Sequence, residues 1–213
     1  MDPIIARYSS ISFDELSWCQ NEGIMYQTDM SQSVEYGVDY YEKYVGYEST
    51  IIAKKLNEGR TNITSRFCES ILDIGVGSGE FIKNSKIKTY GFDINPVAVE
   101  WLKKLDLYKD PYLDMPDVDG LTFWDSLEHI PDPNALLCLM QSNQYAFISI
   151  PIFDDLQKIK MSKHYRPNEH YYYFTQEGLK KYMEDSGFKF IACEGFEIEA
   201  GREDILTFVF RKK

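Results

Sequence analysis

Residues 71–84 contain the feature that most restricts how this chain can fold. A short apolar run, Ile71-Leu72-Asp73-Ile74, opens into Gly75-Val76-Gly77-Ser78-Gly79, and a helical pattern resumes from about Gly79 to Asn84. Alternating glycines after a strand allow a turn that side chains would block, and the following helix aims its N-terminal N–H groups at whatever fills the turn. Such a junction belongs to α/β sheets that take ligands at the carboxyl ends of their strands. Glycine spacing alone fits a dinucleotide fold as well. Two acids point elsewhere. Asp73, just before the first glycine, suits a cationic group better than a pyrophosphate. About twenty residues on, Tyr90-Gly91-Phe92-Asp93 ends a second strand with a carboxylate able to accept from both hydroxyls of a ribose.

The alternation continues. Lys88 to Ile94 reads as a strand, and Pro96 stands in the first turn of a helix running to about Leu105. Residues 106–119, with five Asp and two Pro, read as loop with at most a short strand. Gly120 to Trp124 and Tyr145 to Ile150 are strands, with a helix from Pro133 to Gln141 between them. Thr175 caps a helix that ends near Ser186, with Gly187 at its C-terminus. Phe188 to Glu199 and Asp204 to Arg211 are the last two strands, and the short link between them makes them antiparallel. Upstream, residues 1–35 are irregular. Residues 36–58 read as a helix, because Tyr36, Tyr40, Tyr41, Tyr44 and Tyr47 recur at helical steps and Ile51, Ile52 and Leu56 continue the face, with Gly59 as a natural stop. The expected division is an N-terminal helical and irregular extension over 1–60, acting as a lid, and an α/β domain over 61–213.

Charge and cysteines narrow the function classes. Thirty-four acidic and twenty-three basic residues give a formal net charge of −11. Bulk electrostatics therefore disfavour nucleic acid as a partner, since phosphate neutralisation needs clustered Lys and Arg. No secretion signal and no apolar run of about 18 residues is present, so a membrane span is not expected and a cytoplasmic location is. Cys19, Cys68, Cys138 and Cys193 are far apart and form no CxxC pair, so reduced, mostly buried thiols are expected. Trp18-Cys19-Gln20-Asn21-Glu22-Gly23 looks like an eroded C-x-x-C-G knuckle whose second thiolate is Glu22, so no structural zinc is expected there.

The glycine segment and Tyr90-Gly91-Phe92-Asp93-Ile94-Asn95-Pro96 resemble the first two motifs of the class I S-adenosylmethionine-dependent methyltransferases, over about residues 65–213. The resemblance implies a Rossmann-like, seven-stranded, mostly parallel sheet with an antiparallel C-terminal strand, and S-adenosyl-L-methionine as cofactor. It implies that Asp73 lies near the methionine amino group and that Gly75, Gly77 and Gly79 let the backbone approach the cofactor. Asp93 would hold the ribose hydroxyls and Ile94 would lie against the adenine. An acid after the third strand would face the adenine amino group; Asp110 is the choice, with Asp106 and Asp114 competing.

After the next strand comes Trp124-Asp125-Ser126-Leu127-Glu128-His129-Ile130-Pro131. Asp125, at the strand's carboxyl end, is a further candidate for the cofactor crevice. If this segment is helical, Asp125, Glu128 and His129 share one face, and carboxylates with an imidazole suit a divalent ion such as magnesium. The stretch is similar to the D/E-x-x-E-H segment of the ubiquinone-biosynthesis type of O-methyltransferase, whose matching residues can hold a metal beside the acceptor. His129 and His170 are the candidate catalytic residues; an imidazole has a useful neutral fraction near pH 7 and can serve as a general base. The expected activity is methyl transfer to an oxygen or nitrogen of a small-molecule or glycan acceptor. The alternatives are methylation of a nucleic-acid base or modified nucleotide, and a non-catalytic cofactor-binding subunit. The tyrosine-rich segment suits an interface as well as a lid, so a homodimer is among the arrangements it allows.

Overall fold

The protein is seen in a computed structural model that describes residues 4, 11–13, 16–19, 22–28 and 50–213. The tyrosine stripe at 36–47 lies outside the described residues, and so does most of the expected lid.

The main sheet has six strands: β4 (Ser70–Ile74), β5 (Lys88–Phe92), β6 (Gly120–Trp124), β7 (Tyr145–Pro151), β9 (Phe188–Glu194) and β10 (Ile205–Lys212). Their order is β5-β4-β6-β7-β10-β9. The first four are mutually parallel, and β10 runs antiparallel to both of its neighbours. Every residue of β6, and all of β7 except Tyr145, is buried. That near-continuous apolar reading is what layers on both faces of a parallel sheet require.

Helices α1 (Ile51–Ser65), α2 (Glu80–Asn84), α3 (Pro96–Lys104), α4 (Pro133–Leu137), α6 (Gln176–Asp185) and α7 (Phe196–Glu199) supply those layers, while Ile159 of α5 (Leu156–Met161) packs with Met25, Phe153 and Tyr173. Leu136 and Leu137 of α4 and Leu179, Tyr182 and Met183 of α6 pack in one core with Leu121, Phe123, Ile148 and Phe208. A second core on other strand residues joins Ile63 of α1 and Phe81 of α2 to Ile71, Phe147 and Val209.

The N-terminal stretch over 1–35, expected to be irregular, carries strands among its described residues. β1 (Ile11–Phe13), β2 (Leu16–Cys19) and β3 (Ile24–Gln27) form an antiparallel ribbon that pairs with β8 (Tyr172–Phe174). A bridge between Ile152 and Phe174 ties this small sheet to the end of β7.

Three sequence readings change. The seventh strand is reduced to a single bridge from Tyr108 to Gly91 at the β5 edge, because the Asp- and Pro-rich segment cannot extend a ladder there. Helix α1 passes through Gly59 and ends after Ser65, so it is continuous across the expected boundary at residue 60. Gly59 is a contact glycine, not a stop: a Cβ there would lie 2.3 Å from the Phe196 ring. Last, α7 interrupts the expected strand over 188–199. Cys68 is buried, Cys138 is exposed and Cys193 is intermediate.

Candidate active site

At the carboxyl ends of β4, β5 and β6 the loops enclose a cavity of about 690 Å³. The register explains its first acid. Thr122 of β6 stands beside Asp73 of β4, and the threonine hydroxyl donates to Asp73 Oδ1 at 2.7 Å. Burial pushes the Asp73 carboxyl up to about 7, against the pull of the Thr122 hydrogen bond and the Arg60 charge. Asp93, after β5, accepts from Gly77 N at 3.1 Å and from Asn95 N at 2.7 Å. One carboxylate thus ties the glycine loop to the start of α3. Burial raises its pKa, and the backbone N–H groups oppose that shift.

The three glycines do different work. A Cβ on Gly75 would meet Ser126 Cβ at 2.8 Å, and one on Gly79 would meet the Trp101 ring at 2.4 Å. Both are demanded by packing within the protein, and Gly79 does not line the cavity. Gly77 does line it, has φ of 54°, and a Cβ there would meet nothing within 4 Å. That is the position where bare backbone is open to a ligand.

Asp73, Gly75, Gly77, Asp93, Ile94, Asp125, Glu128, His129 and His170 all face this one space. Asp110 does not. It accepts from Tyr112 N at 3.0 Å, which closes its own turn, and presents Tyr112 to the cavity instead. Its competitors Asp106 and Asp114 are exposed and do not line the cavity either.

The expected metal trio is rearranged. Residues 127–129 form a single 3₁₀ turn, and Asp125 precedes it with φ of 53°, so the helical-face argument fails for Asp125. Arg202 instead grips the Asp125 carboxylate with Nη1 at 2.7 Å and Nη2 at 3.0 Å, and Arg60 Nη2 adds a contact at 3.3 Å. Burial would raise the Asp125 pKa, but Arg202, Arg60 and His129 outweigh it and hold the carboxyl below its ordinary value. Both arginines also bind the fully buried Glu197, and Arg60 lies 5.0 Å over the Trp124 ring.

His170 takes the place that Asp125 vacates. Glu128, His129 and His170 offer ligand atoms that all lie within 4.8 Å of one another. The two imidazoles meet edge to face, with centroids 4.6 Å apart. Burial lowers the His129 pKa and pushes His170 down to about 2, so both rings are neutral near pH 7. Burial, then the nearby Asp125 charge, raises Glu128 well above the usual carboxylate range.

Five buried side-chain polar atoms among the described residues lack a partner, and three of them belong to cavity residues: Trp124 Nε1, Ser126 Oγ and Glu128 Oε2. Orphaned polar atoms cost free energy, so their clustering marks a wall built for something polar. The third histidine, His164, also lines the cavity, and its Nε2 lies 2.9 Å from the Glu203 carbonyl oxygen. Sequence reasoning missed Arg60, Arg166 and Arg202 as cavity residues. No local motif carries them.

A family model described as "Methyltransferase domain" matches residues 41–192. No sequence among the curated proteins matches the chain. Solved structures share the fold. One is a SAM-dependent methyltransferase from Archaeoglobus fulgidus, at 22% identity and TM-score 0.57, covering 82% of this chain and 100% of that one. Human N-acetylserotonin methyltransferase, solved with SAM, aligns at 16% identity and TM-score 0.58, covering 81% of this chain and 56% of the human one. The 1,6-didemethyltoxoflavin-N1-methyltransferase of Burkholderia thailandensis, solved with its acceptor and S-adenosylhomocysteine, aligns at 15% identity and TM-score 0.52, covering 82% and 84%.

Proposed function

Because the chain belongs to the methyltransferase domain family, as a class I S-adenosylmethionine-dependent enzyme, we propose that it methylates an oxygen or nitrogen of a small acceptor seated in the 690 Å³ cavity. One observation carries the reading: Asp73, the open backbone at Gly77, Asp93 and the imidazole pair all face the same space. Cavities of about 300–1,000 Å³ take drug-sized ligands. Small-molecule acceptors recur among the structural neighbours, which supports the acceptor class.

Bound S-adenosylmethionine supplies a methyl group already activated on a sulfonium. The protein's own work is then positioning. Asp73 would hold the cofactor's ammonium, and Arg60, which faces the same space, its carboxylate. Asp93 would exchange its hold on Gly77 N for the ribose hydroxyls, with Ile94 and Tyr112 giving the adenine an apolar wall. Asp110 and Gly79 do not line the cavity, so this reading gives them no contact with the cofactor. His129 and His170 face the acceptor, whose nucleophilic atom must be held in line and freed of its proton when it is a hydroxyl.

Transfer of label from methyl-labelled S-adenosylmethionine into the small-molecule or glycan fraction of a source-cell extract tests the proposal. Label in that fraction supports it. Label in nucleic acid, or no S-adenosylhomocysteine binding at high micromolar concentration, overturns it.

A further inference from the structure

The space around Glu128, His129 and His170 is built like a coordination site. The three residues come from two separated segments, the 3₁₀ turn after β6 and the loop before β8, and the fold pins those segments together. Tyr171 N donates to the Glu128 carbonyl oxygen at 2.7 Å, joining the neighbour of one histidine to the neighbour of the other. Glu128 is 1% exposed and its Oε2 has no partner. A buried carboxyl oxygen without a partner is costly, and a cation that took the carboxyl proton's place would satisfy it. The obvious cations are committed elsewhere: Arg202 to Asp125 and Glu197, and Arg166 to Glu169 at 3.0 Å. The ring of His129 makes a hydrogen bond to the Glu169 backbone beside its place in the trio. Metal-bound histidines carry that second bond almost without exception.

We propose that Glu128, His129 and His170 bind one divalent first-row transition-metal ion, with its remaining positions open to the cavity. Two imidazoles and one carboxylate favour manganese, iron(II), cobalt, nickel or zinc over magnesium or calcium, which prefer all-oxygen sites. Three protein ligands facing a cavity leave room for an acceptor oxygen, and an ion there would lower the pKa of a hydroxyl bound to it. That consequence rests on the methyltransferase reading; the binding itself does not. Asp125 is not a ligand, because Arg202 occupies both of its oxygens.

Cobalt(II) titrated into the full, tag-free chain, without cofactor, tests this. Binding at one equivalent with visible d–d absorption is expected. His129→Ala and His170→Ala should each weaken it by about 100-fold, while His164→Ala, in the same cavity but outside the trio, leaves it unchanged. Proton NMR of the unmutated cobalt form keeps the question decidable if a variant fails to fold. The chain has only three histidines, and the proposal requires two strongly hyperfine-shifted imidazole N–H resonances. No cobalt binding, binding unchanged in His170→Ala, or one or three shifted resonances overturns the site. S-adenosylhomocysteine binding, measured separately by calorimetry on metal-free protein, shows whether the methyltransferase reading stands independently.

Discussion

Burial, which outweighs the Thr122 hydrogen bond and the Arg60 charge, makes Asp73 hold its proton far more tightly in the folded chain than in the unfolded one, where its pKa is near 3.8 against about 7 when folded. Between those values the folded state binds more protons, so the ligand-free protein loses stability as pH rises through that window. A ligand ammonium reverses the preference. Cofactor binding below about pH 7 should release a proton, and affinity should fall by up to about tenfold per pH unit below it. Calorimetry with S-adenosylhomocysteine in buffers of different ionisation enthalpy measures both; Asp73→Asn should bind more weakly and lose the proton release. The acids flanking the glycine loop are legible in sequence because they sit beside a turn that dictates its own residues. The partners of Asp125 are not. Arg60 and Arg202 lie 65 and 77 residues away, and only closure of the sheet brings them together.

Helix α1, the β6 loop and the link from α7 to β10 meet at the charges of Arg60, Asp125, Glu197 and Arg202. Glu197 is fully buried, and Arg202 Nη1 lies 2.5 Å from it. Removing one partner of such a group strands the rest, at a cost of about 3–5 kcal/mol. Urea denaturation should show a loss of that order for Arg202→Met. The exposed pair of Arg66 and Glu194, also 2.5 Å long, is the control: Arg66→Ala should cost less than about 1 kcal/mol. Local chemistry made most elements readable. Asn95 caps the helix that begins at Pro96, and the Thr175 side chain accepts from Gly178 N as the N-cap rule expects. Gly59 misled because a glycine required by a neighbouring ring looks, in sequence, like one that ends a helix. The 3₁₀ turn at 127–129 misled for a related reason: i, i+3, i+4 spacing says nothing about a left-handed residue at position i.

At the scale of the molecule, the N-terminal ribbon is fastened to the segment that carries His170. Gln27 N donates to the Tyr171 carbonyl oxygen at 2.8 Å, and Thr175 N to that of Gly23 at 2.8 Å. The joint is a glycine contact: a Cβ on Gly178 would lie 2.0 Å from Gly23 O. Gly178→Val should therefore push the ribbon away from α6. We expect methyl transfer to fall at least tenfold while S-adenosylhomocysteine binding, proposed above at the ends of β4, β5 and β6, changes by less than about threefold; equal losses of both would contradict this division of labour. The class of the sheet was legible from strand–helix alternation, whereas the ribbon was not, because its strands are only three or four residues long and its one partner outside the ribbon, β8, lies far along the chain. The antiparallel β10 carries one more consequence, for synthesis. It follows β9 in the chain yet is wedged between β9 and β7. Until residues 205–212 have left the ribosome, both of those strands present open hydrogen-bonding edges, so a stalled nascent chain is exposed to mispairing and to chaperones, and the sheet closes only when its wedge arrives.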